Sequence, residues 1–82
     1  MILLTRIEAA RNMRRFYAVH VVPNLFGEWA VLKEWGRIGR AGTVRTWTFT
    51  GQGEAEQARQ RSIGRKLRRG YVMQSTIRHD GD

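Results

Sequence analysis

WAVLKEWGRIGRAGTVRTWTF, residues 29–49, is the stretch whose reading decides the fold. Alternation with period two from Trp29 to Ile38 puts Trp29, Val31, Lys33, Trp35 and Arg37 on one side of a strand, and Ala30, Leu32, Glu34, Gly36 and Ile38 on the other. Arg40-Ala41-Gly42 supplies a turn, and Thr43 to Phe49, rich in threonine, valine and aromatic side chains, forms the returning strand.

Outward from this hairpin, Phe16 to Val22 reads as the preceding strand, with Tyr17, Val19 and Val21 on one face and Phe16, Ala18, His20 and Val22 on the other. Pro23 to Gly27 is the loop between the two. Ile2 to Ile7 makes a first strand, and Glu8 to Asn12 a turn or short helical excursion. Downstream, Thr50-Gly51-Gln52-Gly53 interrupts the sheet pattern, and Glu54 to Arg69 reads as a helix. Glu54 and Glu56 lie in its first turn and Arg65, Lys66, Arg68 and Arg69 in its last, the order that complements the helix dipole. Its apolar stripe of Ala55, Ala58, Ile63 and Leu67 is thin, Gly64 weakens it, and Gly70 is a natural stop. Tyr71-Val72-Met73 is a candidate edge strand, and Gln74 to Asp82 is expected to be a flexible tail.

These elements make one α+β domain over residues 1–82, with its core within about 3–73: an antiparallel sheet of four to five strands and one helix packed on one face. The Ala30, Leu32, Glu34, Gly36 and Ile38 side of the third strand suits the helix-packed core, where Glu34 would need a partner such as a helix arginine. The opposite side then presents a Lys33-Trp35-Arg37 ladder, two cations flanking an indole, with Gly36 opening space beside the ring and allowing close backbone approach or a bulge. Stacking surfaces combined with cations bind single strands and exposed duplex ends. Periodicity by itself leaves Trp35 equally readable as a core tryptophan.

Fifteen Lys+Arg face seven Asp+Glu, a formal charge of +8, and all but two of the cations are arginine. Arginine's planar fork engages two phosphate oxygens at once and stacks on rings, which points to a polyanion partner. There is no cysteine, so disulfides, thiolate metal sites and thiol nucleophiles are excluded. The opening Met1 to Thr5 is too short for a signal-peptide core and no later run approaches the ~20 apolar residues of a membrane span, so a cytoplasmic protein without membrane contact is expected. His20 and His79 are the only histidines, and no serine or carboxylate stands at triad or metal-ligand spacing. The expectation is therefore a binding module, not an enzyme, with no metal, cofactor or small-molecule substrate.

Glu34-Trp35-Gly36-Arg37-Ile38-Gly39-Arg40-Ala41-Gly42-Thr43 resembles the signature of the WGR domain, known in poly(ADP-ribose) polymerases and in small bacterial proteins. The Phe16-Tyr17 strand, the Asn24-Leu25-Phe26-Gly27 turn, the Trp29 strand and the closing Lys66-Leu67-Arg68-Arg69-Gly70-Tyr71 extend that resemblance to the stand-alone bacterial form over residues 3–73. It implies a curved antiparallel sheet with a helix against it. It also implies binding near a DNA strand break, with the motif tryptophan against the terminal nucleotide and the motif arginine communicating with neighbouring domains. Trp35 matches that tryptophan. Arg37 matches the arginine but lacks the neighbouring domains, which leaves it for phosphate or for another partner. The polymerases' catalytic domain and zinc ligands have no counterpart here, and Gly51-Gln52-Gly53 and Gly64 are atypical.

The expected nucleic-acid contacts are Trp35, Gly36 and Arg37, with Lys33, Arg40 and Arg45 beside them and Arg65, Arg68 and Arg69 on the helix. DNA is favoured over RNA as the ligand, and the alternative is a protein partner engaged through the same Trp35 and Arg37 surface.

Overall fold

The computed structural model describes residues 1–76; the expected tail beyond Thr76, with His79, lies outside the described residues. Five strands form one antiparallel sheet: β1 (Ile2–Glu8), β2 (Met13–Pro23), β3 (Trp29–Arg37), β4 (Thr43–Phe49) and β5 (Val72–Thr76), in the order β4-β3-β2-β1-β5. A single 3-10 turn, Ala9–Arg11, joins β1 to β2, and helix α1 (Gln52–Arg68) carries the chain from the β4 edge to the β5 edge. The expected α+β architecture is therefore present.

Local chemistry sets these boundaries. Asn24 ties the β2–β3 turn: its side-chain oxygen accepts from the N–H groups of Phe26 and Glu28, each at 2.9 Å, and its own N–H donates to the Glu28 carbonyl at 2.8 Å. Helix α1 starts at Gln52, two residues ahead of the expected Glu54. Gly51 stands extended at its N-terminus, and Glu54 accepts from the Thr50 hydroxyl at 3.1 Å. Its end is a Schellman motif: Gly70, at φ 91°, donates to the Leu67 carbonyl and Tyr71 to that of Lys66, both at 3.1 Å. β5 runs on to Thr76 instead of stopping at Met73, and Gln74, expected in the tail, donates from Nε2 to the Thr5 hydroxyl at 2.7 Å.

The core lies between α1 and one face of the sheet. Leu4, Tyr17, Val19 and Val31 are buried from the strands, with Ala55 from the helix and Tyr71 from the chain just after it, while Trp29, Trp35, Phe49, Ala58 and Ile63 pack partly buried around them. The helix thus covers the Trp29, Val31, Lys33 and Trp35 side of β3. That overturns the expected orientation, in which Ala30, Leu32, Glu34, Gly36 and Ile38 faced it. The physical reason is the size of the covering residues. Ala55 and Ala58 let α1 lie close on the face that carries Tyr17, Val19 and Val31, whose larger neighbours Trp29, Trp35 and Phe49 pack around them. Glu34 accordingly points away from α1 and meets none of its arginines. Leu67, expected in the apolar stripe, is 45% exposed. On the other face, Leu3, Phe16, Ala18, Leu32 and Val44 carry no covering element among the described residues. No described helix is long and apolar enough to cross a membrane.

Candidate nucleic-acid interface

The motif end of the sheet is built by the turn after β1. Asn12 takes a left-handed conformation, φ 51°, and donates its backbone N–H to the Ala9 carbonyl at 3.0 Å. Arg37 reaches across from β3 to this turn: Nη1 donates to the Asn12 carbonyl and Nη2 to its side-chain oxygen, each at 3.1 Å. The Ile38 N–H adds a bond to the Arg14 carbonyl at 2.9 Å. Pinned in this way, the turn and the ends of β2 and β3 enclose an open cavity of about 460 Å3, with Trp35 on its wall and Arg11, Arg14, Arg15, Arg37 and Lys66 around it.

No Asp or Glu lines this cavity. Of its cations only Arg11 has an ion pair among the described residues, 3.5 Å from Glu8, which stands outside the lining. Arg15 and Arg37 are direct cross-strand neighbours, a like-charge pairing that costs stability. Lys66 holds its ammonium over two rings, 5.0 Å from the centre of Tyr17 and 5.1 Å from that of Tyr71, so it is restrained without losing charge. Burial, and then the nearby Arg69, Arg15 and Arg65, push the Lys66 pKa below the ordinary lysine value. Trp35 is half-buried, its cross-strand partner Tyr17 being in the core. The site therefore offers a half-buried indole on a rigid support, among cations of which only Arg11 is ion-paired among the described residues.

The expected residues divide among three places. Trp35, Gly36 and Arg37 meet at this cavity. Lys33 and Arg65 line a second cleft, between α1 and β4, where the Lys33 ammonium sits 4.4 Å over the ring of Trp47. Lys33 shares the β3 face of Trp35 and Arg37, as expected, but its ammonium is turned to Trp47 and lines the cleft, not the Trp35 cavity. Arg40, Arg45, Arg68 and Arg69 are exposed at the periphery.

At Gly36 the close backbone approach that a glycine allows is present, whereas the expected open space beside it is filled. A Cβ there would stand 3.1 Å from the Gly42 Cα and 3.5 Å from the Phe16 ring, on the face away from the helix. The motif glycine is thus required by the close approach of the β3–β4 turn, not by room for a ligand. Arg11, Arg14, Arg15 and the ring-held Lys66 belong to the cavity but were not among the expected contacts. Counting back from the Pro23↔Trp29 pair would have set Arg15 opposite Arg37. Among the described residues no group of three or more His, Asp or Glu side chains is placed to hold a metal.

The family model described as WGR domain matches residues 1–78 of this chain. The chain is also similar to the uncharacterized protein y4dW of Sinorhizobium fredii (strain NBRC 101917 / NGR234), at 38% identity over 66 residues. The matched region is 80% of this chain and 32% of the relative, so the chain spans about a third of the relative's length.

Proposed function

Because the chain belongs to the WGR domain family, we propose that it is a nucleic-acid-binding module, acting by binding and not by catalysis, that receives an exposed nucleotide at Trp35. One observation carries this reading: Trp35 stands on the wall of an open cavity ringed by four arginines and a lysine, with no carboxylate in the lining and only Arg11 reaching one, Glu8, outside it. Phosphates supply the missing negative charge, and a base at a strand end supplies the flat surface that meets the indole. Arg37, with two of its N–H groups committed to Asn12, contributes charge and holds the rim in shape, while Arg15 and Lys66 are the freer anion ligands. DNA ends and nicks are the favoured substrates.

Fluorescence anisotropy with blunt, nicked and single-stranded DNA probes, across a salt series, tests the reading. The expected result is binding that weakens steeply with salt and favours ends or nicks. Arg15→Gln with Lys66→Gln should weaken every probe and flatten the salt dependence. Trp35→Ala should cost roughly 1–3 kcal/mol on ends and nicks, the worth of a lost stack. Absence of binding at low salt by a folded protein would overturn the proposal.

A further inference from the structure

The cleft between α1 and β4 is a second concentration of positive charge, separate from the cavity at Trp35. It encloses about 220 Å3 and is lined by Lys33, Arg61 and Arg65, with Trp47 and Phe49 as its apolar wall. None of the three cations is ion-paired with a carboxylate among the described residues: the ion pairs there join Arg6 and Arg11 to Glu8, and Arg59 to Glu56. Arg65 donates to the Ser62 hydroxyl at 3.4 Å and has the rest of its fork available. Lys33 is held by the face of Trp47, which is 41% exposed, so the contact fixes the ammonium without neutralising it. Directly across the β3–β4 ladder from Lys33 stands Arg45, another like-charge pair. A fold that gathers this much repulsion without an acid has a vacancy for an anion.

The two sites are neighbours. Lys33 and Trp35 lie two residues apart on one face of β3, about 7 Å, and Arg65 and Lys66 are consecutive on α1. A single nucleotide step covers such a distance. We propose that the α1–β4 cleft is a second phosphate subsite, in which Lys33, Arg61 and Arg65 bind a backbone phosphodiester of the strand whose exposed nucleotide is seated at Trp35. This rests on the nucleic-acid reading above and extends its footprint over the helix. Burial of Lys33, and its repulsion by Arg65, Lys66 and Arg61, already disfavour its charged form, a cost that a bound phosphate relieves.

Anisotropy with a single-stranded DNA of about twelve nucleotides, well within the site sizes of single-strand binders, tests this on the wild type and three variants. In Arg61→Gln/Arg65→Gln, affinity should fall roughly tenfold or more and the salt slope should shrink by at least about 0.7, one phosphate's worth. Lys33→Met should weaken binding while raising the melting temperature, since it removes the repulsion and keeps the stem. A purely structural lysine would lower both or neither. Arg15→Gln/Lys66→Gln removes two cations that line the Trp35 site and not the cleft. If that variant weakens binding but the Arg61/Arg65 variant leaves affinity and salt slope unchanged, the cleft proposal is overturned and the nucleic-acid reading stands. If the wild-type protein fails to bind, both fall. A titration with inorganic phosphate, followed by the Lys33 side-chain resonance, identifies the source of the anion: saturation by phosphate as tight as that by the oligonucleotide overturns a strand-borne ligand in favour of a free one.

Discussion

Lys66 concentrates the chemistry of the motif cavity in one side chain. Its ammonium is caught between two tyrosine rings and crowded by arginines, so burial first, and then Arg69, Arg15 and Arg65, lower its pKa from the ordinary 10.5. A bound phosphate favours the charged form, which sets the sign of the pH effect. Binding is at full strength while Lys66 is protonated and declines as pH rises through the lowered pKa of the free protein. Affinity for a DNA probe, measured by anisotropy at constant ionic strength, should therefore begin to fall on the alkaline side before pH 10.5 is reached, where exposed arginines are still charged. The decline should shrink in Lys66→Gln. An affinity flat to pH 10.5 would remove Lys66 from the anion site. Arg37 illustrates a different use of charge, its fork being spent on holding Asn12 in its left-handed turn.

At the scale of elements, two glycines of the same type are asked for opposite things. Gly42, in the β3–β4 turn, lies against β3: a Cβ there would meet the Trp35 carbonyl oxygen at 2.6 Å and the Phe16 ring at 2.7 Å. Gly64, inside α1, has only the far end of Arg68 near it, at 3.4 Å. Gly42→Ala should cost about 1–3 kcal/mol through overpacking against backbone. Gly64→Ala should add stability of up to about 1 kcal/mol through helix propensity. Urea unfolding of the two variants checks both signs.

The strands and the helix were legible because β-branched alternation, the Asn24 turn and the Gly70 stop are local signals. The side of β3 that meets the helix was not. Alternation shows that Trp29, Val31, Lys33 and Trp35 share a face, but Leu32, Phe16, Ala18 and Val44 make the other face apolar too, and hydrophobicity then decides nothing. Glu34 carried the one usable hint, since a carboxylate under a helix would need a partner. The candidate site was legible at Trp35, Gly36 and Arg37 through the motif. Its Arg11, Arg14 and Arg15 wall depends on a turn and a long-range register that no single segment encodes.

Taken whole, the molecule has two unlike sides. One carries the helix, the Trp35 cavity and the Lys33 cleft; the other, apolar at Leu3, Phe16, Ala18, Leu32 and Val44, has no covering element among the described residues. Nucleic acid should perturb them unequally. In methyl NMR spectra with a single-stranded DNA, Val19 and Val31 should shift while Leu3 and Leu32 stay in place; larger shifts of Leu3 and Leu32 would move the interface to the bare side. The order of strands has a further consequence. Because α1 returns the chain to the β1 edge, Ile2 stands opposite Thr76 in the antiparallel β1–β5 ladder. Entry and exit of the fold are side by side, like the two prongs of a plug. Such a domain can be spliced into a surface loop of an unrelated host without stretching either structure, and it carries its cationic side with it wherever it is inserted.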